Sequence, residues 1–243
     1  MDRPAKDSDY RIQSGQRQET AVVSTFMANT FLWMFLGLAI TGLMAYWFSS
    51  STELFGILYN ENGAMSVVGW VVLLAPLGFV LLMSAGFHKL SANTLTLLFI
   101  VFAVLMGMSL SSIFLMYTSA SIAKTFFIAA GMFGVMAVVG YTTKTDLTKF
   151  GSLMMMGLFG LIIAMVVNWF MNSAALDYII SIIGVLIFTG LTAYDVQNLK
   201  RIGAGEQYDY ESTRKLVIIG ALKLYLDFIN LFLFLLRLFG NRR

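Results

Sequence analysis

The sequence predicts an all-α integral membrane protein, a bundle of seven transmembrane helices. Of its 243 residues, 58% are hydrophobic and only 12% are charged, whereas soluble domains average about 25% charged residues. The apolar runs are about 17 to 24 residues long, which suffices for a helix to cross a hydrocarbon core of about 30 Å and exceeds the length of a transmembrane β-strand. The chain has no cysteine, so disulfides, thiolate catalysis and cysteine-ligated metals are excluded.

Seven apolar runs give the predicted helices in chain order. They cover residues 26–48, 67–87, 95–117, 122–141, 153–170, 178–199 and 216–239. Residues 1–25 are polar and lack the apolar core of a signal peptide, so we predict a cytoplasmic N-terminal segment there. Residues 26–239 then form a single transmembrane domain, and residues 240–243 form a short basic tail.

The basic residues predict the orientation of the bundle, because Lys and Arg near span ends are retained on the cytoplasmic side. Eleven of them lie before the first span or in loops on the same side as it: Arg3, Lys6, Arg11, Arg17, Lys89, Lys144, Lys149, Lys200, Arg201, Arg214 and Lys215. We therefore expect a cytoplasmic N-terminus. With seven spans the tail containing Arg242 lies outside, against this rule, whereas six spans and a re-entrant seventh segment would place it inside.

Two carboxylates within the apolar runs form the candidate site. Asp195 follows the uninterrupted apolar stretch 179–194 of the sixth predicted helix, and Asp227 lies inside the seventh. A carboxylate at the centre of a membrane helix costs roughly 2.5 to 3.5 kcal/mol on insertion scales, so such residues normally face a bundle interior or a wet cavity. Lys223 and Asn230 share a helix face with Asp227. A structural interpretation is that Lys223 neutralises Asp227 within the helix; alternatively, its ammonium extends to the interface.

The pair suggests a proton-sensitive site, because the two helices are consecutive and antiparallel. Two carboxylates in a low-dielectric site do not both ionise easily and titrate as a coupled pair. Ionised, they repel each other or hold a hard cation such as calcium. We therefore predict Asp195 and Asp227 as ion gate, proton sensor and transient calcium ligands, with Lys223 and Asn230 as candidate tuning residues.

Three segments resemble the Bax inhibitor family of multi-spanning proteins, and its bacterial inner-membrane branch in particular. They are GYTTKTDL at 140–147, GLTAYDVQ at 190–197 and LYLDFINLF at 224–232. The resemblance implies two groups of three helices around a central seventh helix, and a pH-sensitive calcium leak gated by an aspartate pair that maps onto Asp195 and Asp227. Some relatives carry charged residues in the second span, whereas residues 67–87 here are uncharged.

Three other functions remain as alternatives. An intramembrane aspartyl protease would fit Tyr194 followed by Asp195, but the second aspartate lacks the expected neighbouring motif, and we predict that the chain is not an enzyme. A proton-coupled transporter would use the same acids, and a non-conducting regulator would bind other membrane proteins. The expected partners are the lipid bilayer, calcium ions, protons and membrane proteins; we expect no cofactor and no nucleic acid.

Overall fold

The computed structural model describes residues 4–60, 62, 64–205 and 209–242. The described chain is helical, with two isolated β-bridges in place of any strand. The helices are α1 (Pro4–Ser50), α2 (Thr52–Leu58), α3 (Val67–Gly86), α4 (Ala92–Leu110), α5 (Ile113–Met116), α6 (Ser119–Thr142), α7 (Thr148–Met171), α8 (Ala174–Ala204) and α9 (Tyr210–Phe239).

Local sequence explains where many of these helices begin. A Ser or Thr hydroxyl at the N-cap accepts a hydrogen bond from the backbone N–H three residues later, which satisfies one of the free donors of the first turn. Five helices have such a cap: Ser51 for α2, Ser66 for α3, Ser91 for α4, Thr118 for α6 and Ser173 for α8.

The prediction of seven spans is confirmed. In the described part of the chain, seven segments are helical, long and apolar enough to cross a membrane: Thr20–Ser50, Val67–Gly86, Ala92–Met116, Ser119–Thr142, Thr148–Met171, Ala174–Gly203 and Tyr210–Phe239. The first helix begins at Pro4, well before the apolar run that starts at residue 26. The predicted N-terminal polar segment is therefore helical from Pro4 onwards.

The third predicted span is confirmed as a span, but its helix is interrupted near the end. Its α-helical part ends at Leu110, and α5 adds one further turn. The break falls at Ser111, whose hydroxyl donates to the carbonyl of Met108 at 2.7 Å. Serine side chains compete for backbone carbonyls in this way and disfavour helix interiors.

The predicted central seventh helix is confirmed as α9. In its apolar window 67% of the residues are buried, against 22% for α3. It packs against α1, α3, α4, α6 and α8. Contacts of α1 and α3 with α4 form one group of three spans, and contacts of α6 and α7 with α8 form the other.

Helix α9 crosses the full height of the bundle. Near its start, Glu211 accepts a hydrogen bond at 2.7 Å from the backbone N–H of Ala92, the first residue of α4. Beyond its end, the N–H of Asn241 donates to the hydroxyl of Ser121 in α6 at 2.9 Å. We call the end of the bundle near Ala92 the loop end and the end near Asn241 the tail end. The geometry therefore fits a full seventh span and not a re-entrant segment.

Two glycines bring α6 and α7 close to α8 beside the candidate site. A Cβ atom at Gly140 of α6 would collide with the carbonyl oxygen of Ala193, and one at Gly151 of α7 would collide with the ring of Tyr194. Small residues of this kind let helix backbones approach closely in lipid. The segment of α8 that precedes Asp195 is therefore enclosed on two sides.

Candidate functional site

Asp195 lies in the most enclosed part of α8. Its exposed fraction is 2%, and its neighbours Ala193 and Val196 are also buried. This burial follows from the close approach of α6 and α7 and from the extensive packing of α8 on α9. A carboxyl group at this position is shielded from bulk solvent by four helices.

Asp227 lies on the central helix and is 5% exposed. Burial of an ionised carboxylate is unfavourable unless opposite charge or hydrogen bonds compensate it. The structure brings Asp227 together with Asp195: both carboxyl groups line the cavity between α7, α8 and α9 and interact electrostatically across the interface between α8 and α9. The proximity expected from consecutive antiparallel helices is therefore present, while the predicted role of the pair as gate and proton sensor stays a prediction.

Lys223 supplies positive charge to both carboxyl groups from α9. Its Nζ lies 2.6 Å from Oδ1 of Asp195, and it also acts electrostatically on Asp227. The direct ion pair therefore joins two helices, while Lys223 acts on Asp227 of its own helix electrostatically, without a direct ion pair. The ammonium also lies 5.4 Å from the centre of the Tyr194 ring, a cation–π arrangement that favours this position.

The charges at the site balance only if one carboxyl group is neutral. With both carboxyl groups ionised, two carboxylates and one ammonium would leave one negative charge without a partner, and α3 carries no charged residue. Oδ2 of Asp227 has no hydrogen-bond partner among the described residues, and Oδ1 of Asp195 has only the ion-pair contact with Lys223. A proton or a cation at Asp227 would complete the charge balance.

A calcium site made by protein side chains alone is not present in the described residues, because no group of three or more His, Cys, Asp or Glu side chains lies together. Calcium takes about six to eight oxygen ligands. Asp195 and Asp227 could therefore hold the ion only together with water or other oxygen ligands, and calcium binding at the pair stays a prediction.

Asn230 does not donate to the carboxyl pair. Its Nδ2 donates at 2.8 Å to the carbonyl of Leu226 in the same helix. The predicted role of this side chain as a hydrogen-bond donor to Asp227 is therefore not realised in this conformation. It nevertheless lines the same cavity as Asp195, Asp227 and Lys223.

That cavity has a volume of about 370 Å³ and lies between α7, α8 and α9. It begins at Asp195 and Lys223 and extends towards the tail end, where Arg237 lines it. Most of the other lining residues are apolar, and they are Met155, Leu158, Leu161, Ile162, Met165, Phe188, Leu191, Leu226, Leu233 and Phe234.

A second cavity of about 480 Å³ adjoins the first at the tail end. Met165 and Arg237 line both cavities. Where they meet, Nη1 of Arg237 lies 3.8 Å from Oδ1 of Asp177 in α8. The ion pair of Arg237 and Asp177 therefore lies between the cavity at the aspartate pair and the polar cavity at the tail end.

Sequence reasoning missed a set of polar contacts that hold the loop end of α8. Gln197 donates to the carbonyl of Thr145 and accepts from the N–H of Leu147, each at 2.8 Å. Lys200 donates to the carbonyl of Tyr141 at 2.7 Å. Gln197, two residues from Asp195, therefore holds the α6–α7 loop, and Lys200 holds the end of α6. The segments 140–147 and 190–197 were visible as motifs, but only the fold shows that they touch.

An exposed ion pair completes this loop contact. Oδ1 of Asp146 lies 2.8 Å from Nη2 of Arg201 and accepts hydrogen bonds from the N–H and the hydroxyl of Thr148. The hydrogen bonds from Thr148, together with Arg201, hold the pKa of Asp146 well below its usual range. Because Asp146 is fully exposed, its charge belongs to the loop surface and not to the buried pair.

The fold and site define the class of protein before any comparison: a seven-span helical membrane protein with a buried acidic pair between its sixth and seventh spans. Comparison with known proteins gives the family. A family model described as "Inhibitor of apoptosis-promoting Bax1" matches residues 23–243. The chain therefore belongs to the Bax inhibitor family.

Relatives match along the whole chain. The "Inner membrane protein YbhL" of Escherichia coli is 45% identical over 247 aligned residues, which cover 100% of both chains. An uncharacterised protein of Borreliella burgdorferi is 46% identical over 94% of this chain and 97% of its own. An uncharacterised membrane protein of Streptococcus pyogenes is 32% identical over 92% of this chain and 96% of its own.

Proposed function

We propose that this protein is a passive, pH-sensitive calcium leak of the bacterial inner membrane, in which Asp195 and Asp227 form the gate and sense protons. The observation that carries the proposal is the charge imbalance at the site. Two buried carboxyl groups share the single ammonium of Lys223. The remaining negative charge favours binding of either a proton or a cation at the same place.

Competition between these two ligands makes the site sensitive to pH. A protonated Asp227 can donate a hydrogen bond to Asp195 and keep α8 and α9 together. Once Asp227 is ionised, the two carboxylates repel each other and present oxygen ligands that suit a hard cation. Acidic side chains in a pore also favour cations over anions.

The cavity between α7, α8 and α9 gives the direction of the proposed path. From the aspartate pair it leads towards the tail end and stops at Arg237, which is paired with Asp177. A path across the membrane requires this contact to open as well. The described conformation therefore represents a closed state in the proposal.

The inner-membrane location rests on the relatives. A relative of 45% identity is named an inner membrane protein, and the seven spans of this chain fit that location. The proposed leak requires no cofactor and no catalysis, and calcium is the transported ion.

The test is calcium entry into dye-loaded liposomes that contain the purified protein alone. We expect calcium entry through the wild type to change between acidic and neutral pH. The variants Asp195→Asn and Asp227→Asn should each remove most of this change, because the amide keeps the shape of the carboxyl group but neither ionises nor repels its neighbour. Asp146→Asn is the matched control, since this carboxylate is exposed at the loop end, and it should keep the wild-type pH response.

Two results would contradict the proposal. A wild-type pH response in both buried variants would show that another group senses protons. No calcium entry through the purified wild type at any pH would favour the non-conducting regulator.

A further inference from the structure

An apolar groove lies on the opposite face of α9 from Asp227. It has a volume of about 290 Å³ and is bounded by α1, α4, α5 and α6. The side chains of Phe228 and Phe232 form its floor, and none of its lining residues belongs to the cavity at the aspartate pair. The groove is close in size to small ligand pockets, which start at about 300 Å³.

The groove exists because two neighbouring spans pack on α9 without closing on each other. In the part of the chain that the structure describes, α1 and α6 each pack against α9, but they make no extensive contact with one another. On the α1 side the wall is low, because Gly42 has no side chain and a Cβ atom there would meet nothing within 4 Å. On the α6 side Phe127 lines the groove and is 73% exposed. The groove therefore opens sideways, towards the membrane.

The lining offers no free polar group to an occupant in the middle of the groove. Two polar residues line the groove. Ser119 is exposed at the start of α6, whereas Thr41 is buried and its hydroxyl is already engaged at 2.8 Å with both the carbonyl of Ala103 and the hydroxyl of Tyr225. Water is unfavourable in such a place, because a buried water needs about two to four polar partners. The surrounding medium in a bilayer is hydrocarbon, so an alkyl chain suits the groove.

A positive charge lies at the outer edge of the groove near the tail end. Lys124 does not line the groove, but it precedes the exposed lining residue Phe127 by three residues and is therefore its neighbour on the surface of α6, nearer the tail end. It is exposed and forms no ion pair with any residue in the described ranges. Lysine side chains near span ends extend their ammonium towards the headgroup region. This charge complements a phosphate.

We propose that the groove between α1 and α6 binds a membrane phospholipid, with one acyl chain lying on Phe228 and Phe232 and the phosphate paired with Lys124. The occupant is a lipid of the surrounding bilayer. The proposal does not depend on calcium conduction, because the groove and the aspartate pair lie on different faces of α9.

The first experiment locates the acyl chain. The full-length protein is reconstituted into vesicles of phosphatidylethanolamine and phosphatidylglycerol that contain a trace of phosphatidylglycerol with a photoactivatable acyl chain. After illumination, labelled peptides are identified by mass spectrometry. We expect several-fold more adducts on the segments around Gly42 and Phe127 than on the equally exposed surface of α3 around Leu77.

Groove-filling variants test the same point. Gly42→Leu should reduce these adducts several-fold, because Gly42 lines the groove and the new side chain begins in open space there. Ala123→Leu fills the groove from the opposite wall and serves as a second, independent variant. Gly160→Leu is the matched control: a Cβ atom there also meets nothing within 4 Å, and α7 does not line the groove. It should leave the adducts unchanged.

The second experiment tests the phosphate. A diacylglycerol with the same photoactivatable chain lacks the phosphate and should label the wild-type groove several-fold less than the phospholipid does. Lys124→Gln should remove most of this preference, whereas Lys149→Gln, at the loop end, should keep it.

Three results would overturn the proposal. Adducts spread evenly over all exposed spans would show ordinary lipid contact without a site. Unchanged groove labelling in both folded filling variants would place the acyl chain elsewhere. Equal labelling by phospholipid and diacylglycerol would remove the role of Lys124.

Discussion

At the scale of single residues, one ammonium serves two buried carboxyl groups. Lys223 is 42% exposed, whereas the side chain of Asp195 is 2% exposed. Loss of the ion pair would therefore destabilise the ionised form of the buried Asp195 more than that of Lys223, whose ammonium can still be solvated. Loss of one partner from a buried pair leaves an uncompensated charge, which costs about 3 to 5 kcal/mol when both partners are buried.

We predict that Lys223→Met destabilises the protein by roughly 2 to 3 kcal/mol, less than for a fully buried pair because the lysine is partly exposed. Adding Asp195→Asn to this variant should restore about half of the loss, since it removes the charge that had lost its partner. Unfolding in bicelles, measured for the two single variants and the double variant, gives the interaction energy. Strictly additive effects would show that the ion pair contributes nothing to stability.

The positions of Asp195 and Asp227 could be predicted from sequence, because acidic residues are rare in membrane spans and stand out against apolar neighbours. The ion pair between Lys223 and Asp195 could not be predicted from sequence. The spacing of four residues between Lys223 and Asp227 suits a pair within one helix, while the contact with Asp195 depends on how α8 and α9 are placed. Likewise, the amide of Asn230 could have turned to Asp227 or to its own helix, and only the structure shows the bond to Leu226.

At the scale of helices, close packing of α6 against α8 positions the aspartate site. Gly140 allows this contact, because any side chain at that position meets the backbone of Ala193. Gly134 lies on the same helix, and a Cβ atom there would meet nothing within 4 Å. Gly140 is therefore required for close helix packing, whereas Gly134 is not. Hydropathy alone does not distinguish the two positions.

We predict opposite effects for the same substitution at these two positions. Gly140→Ala should destabilise the protein by about 1 to 3 kcal/mol, because the added methyl group forces α6 and α8 apart against a backbone that cannot move locally. Gly134→Ala should be neutral or stabilising by up to about 1 kcal/mol, since alanine favours the helix over glycine. Thermal unfolding of both variants in the same detergent provides the measurement. Equal effects would contradict the close contact between α6 and Ala193.

Helix existence was predictable from sequence, and helix ends were less so. Apolar length predicts each span well because every backbone group in lipid must be paired inside its own helix. The break at Ser111 was missed because the apolar run continues through it, and the competing hydrogen bond from the serine hydroxyl is a local effect that hydropathy does not measure. The loop contacts of Gln197 were missed for a different reason: they join residues about 50 positions apart.

At the scale of the whole molecule, hydropathy does not identify the central helix. The apolar window of α9 has a mean hydropathy of 2.0, below the 2.4 of α3, although α9 is the most buried span and α3 is among the more exposed. Lipid and protein interior are similarly apolar, so the two environments select similar side chains. The central position of α9 was expected from the family resemblance and not from composition.

An odd number of spans places the two termini on opposite sides of the membrane. The loop end contains most of the basic loop residues, including Lys144, Arg201 and Lys215, which predicts that it is cytoplasmic. The tail end then faces the other side, even though Arg237 and Arg242 lie there. The backbone N–H of Asn241 contacts Ser121 of α6 at the tail end. The seventh span must therefore cross the membrane completely, which places the C-terminal residues on the side opposite the loop end.

Because the chain has no cysteine, single introduced cysteines can test this orientation directly. We predict that Ser50→Cys and Asn241→Cys react with a membrane-impermeant maleimide in intact spheroplasts, whereas Thr145→Cys reacts only after permeabilisation. The first two positions lie at the tail end, and the third lies at the loop end. Reaction of Ser50→Cys with protection of Asn241→Cys would contradict the full seventh crossing. Reaction of Thr145→Cys alone in intact spheroplasts would show that the orientation is the reverse of the predicted one. The basic loops would then lie outside, contrary to the retention of Lys and Arg on the cytoplasmic side.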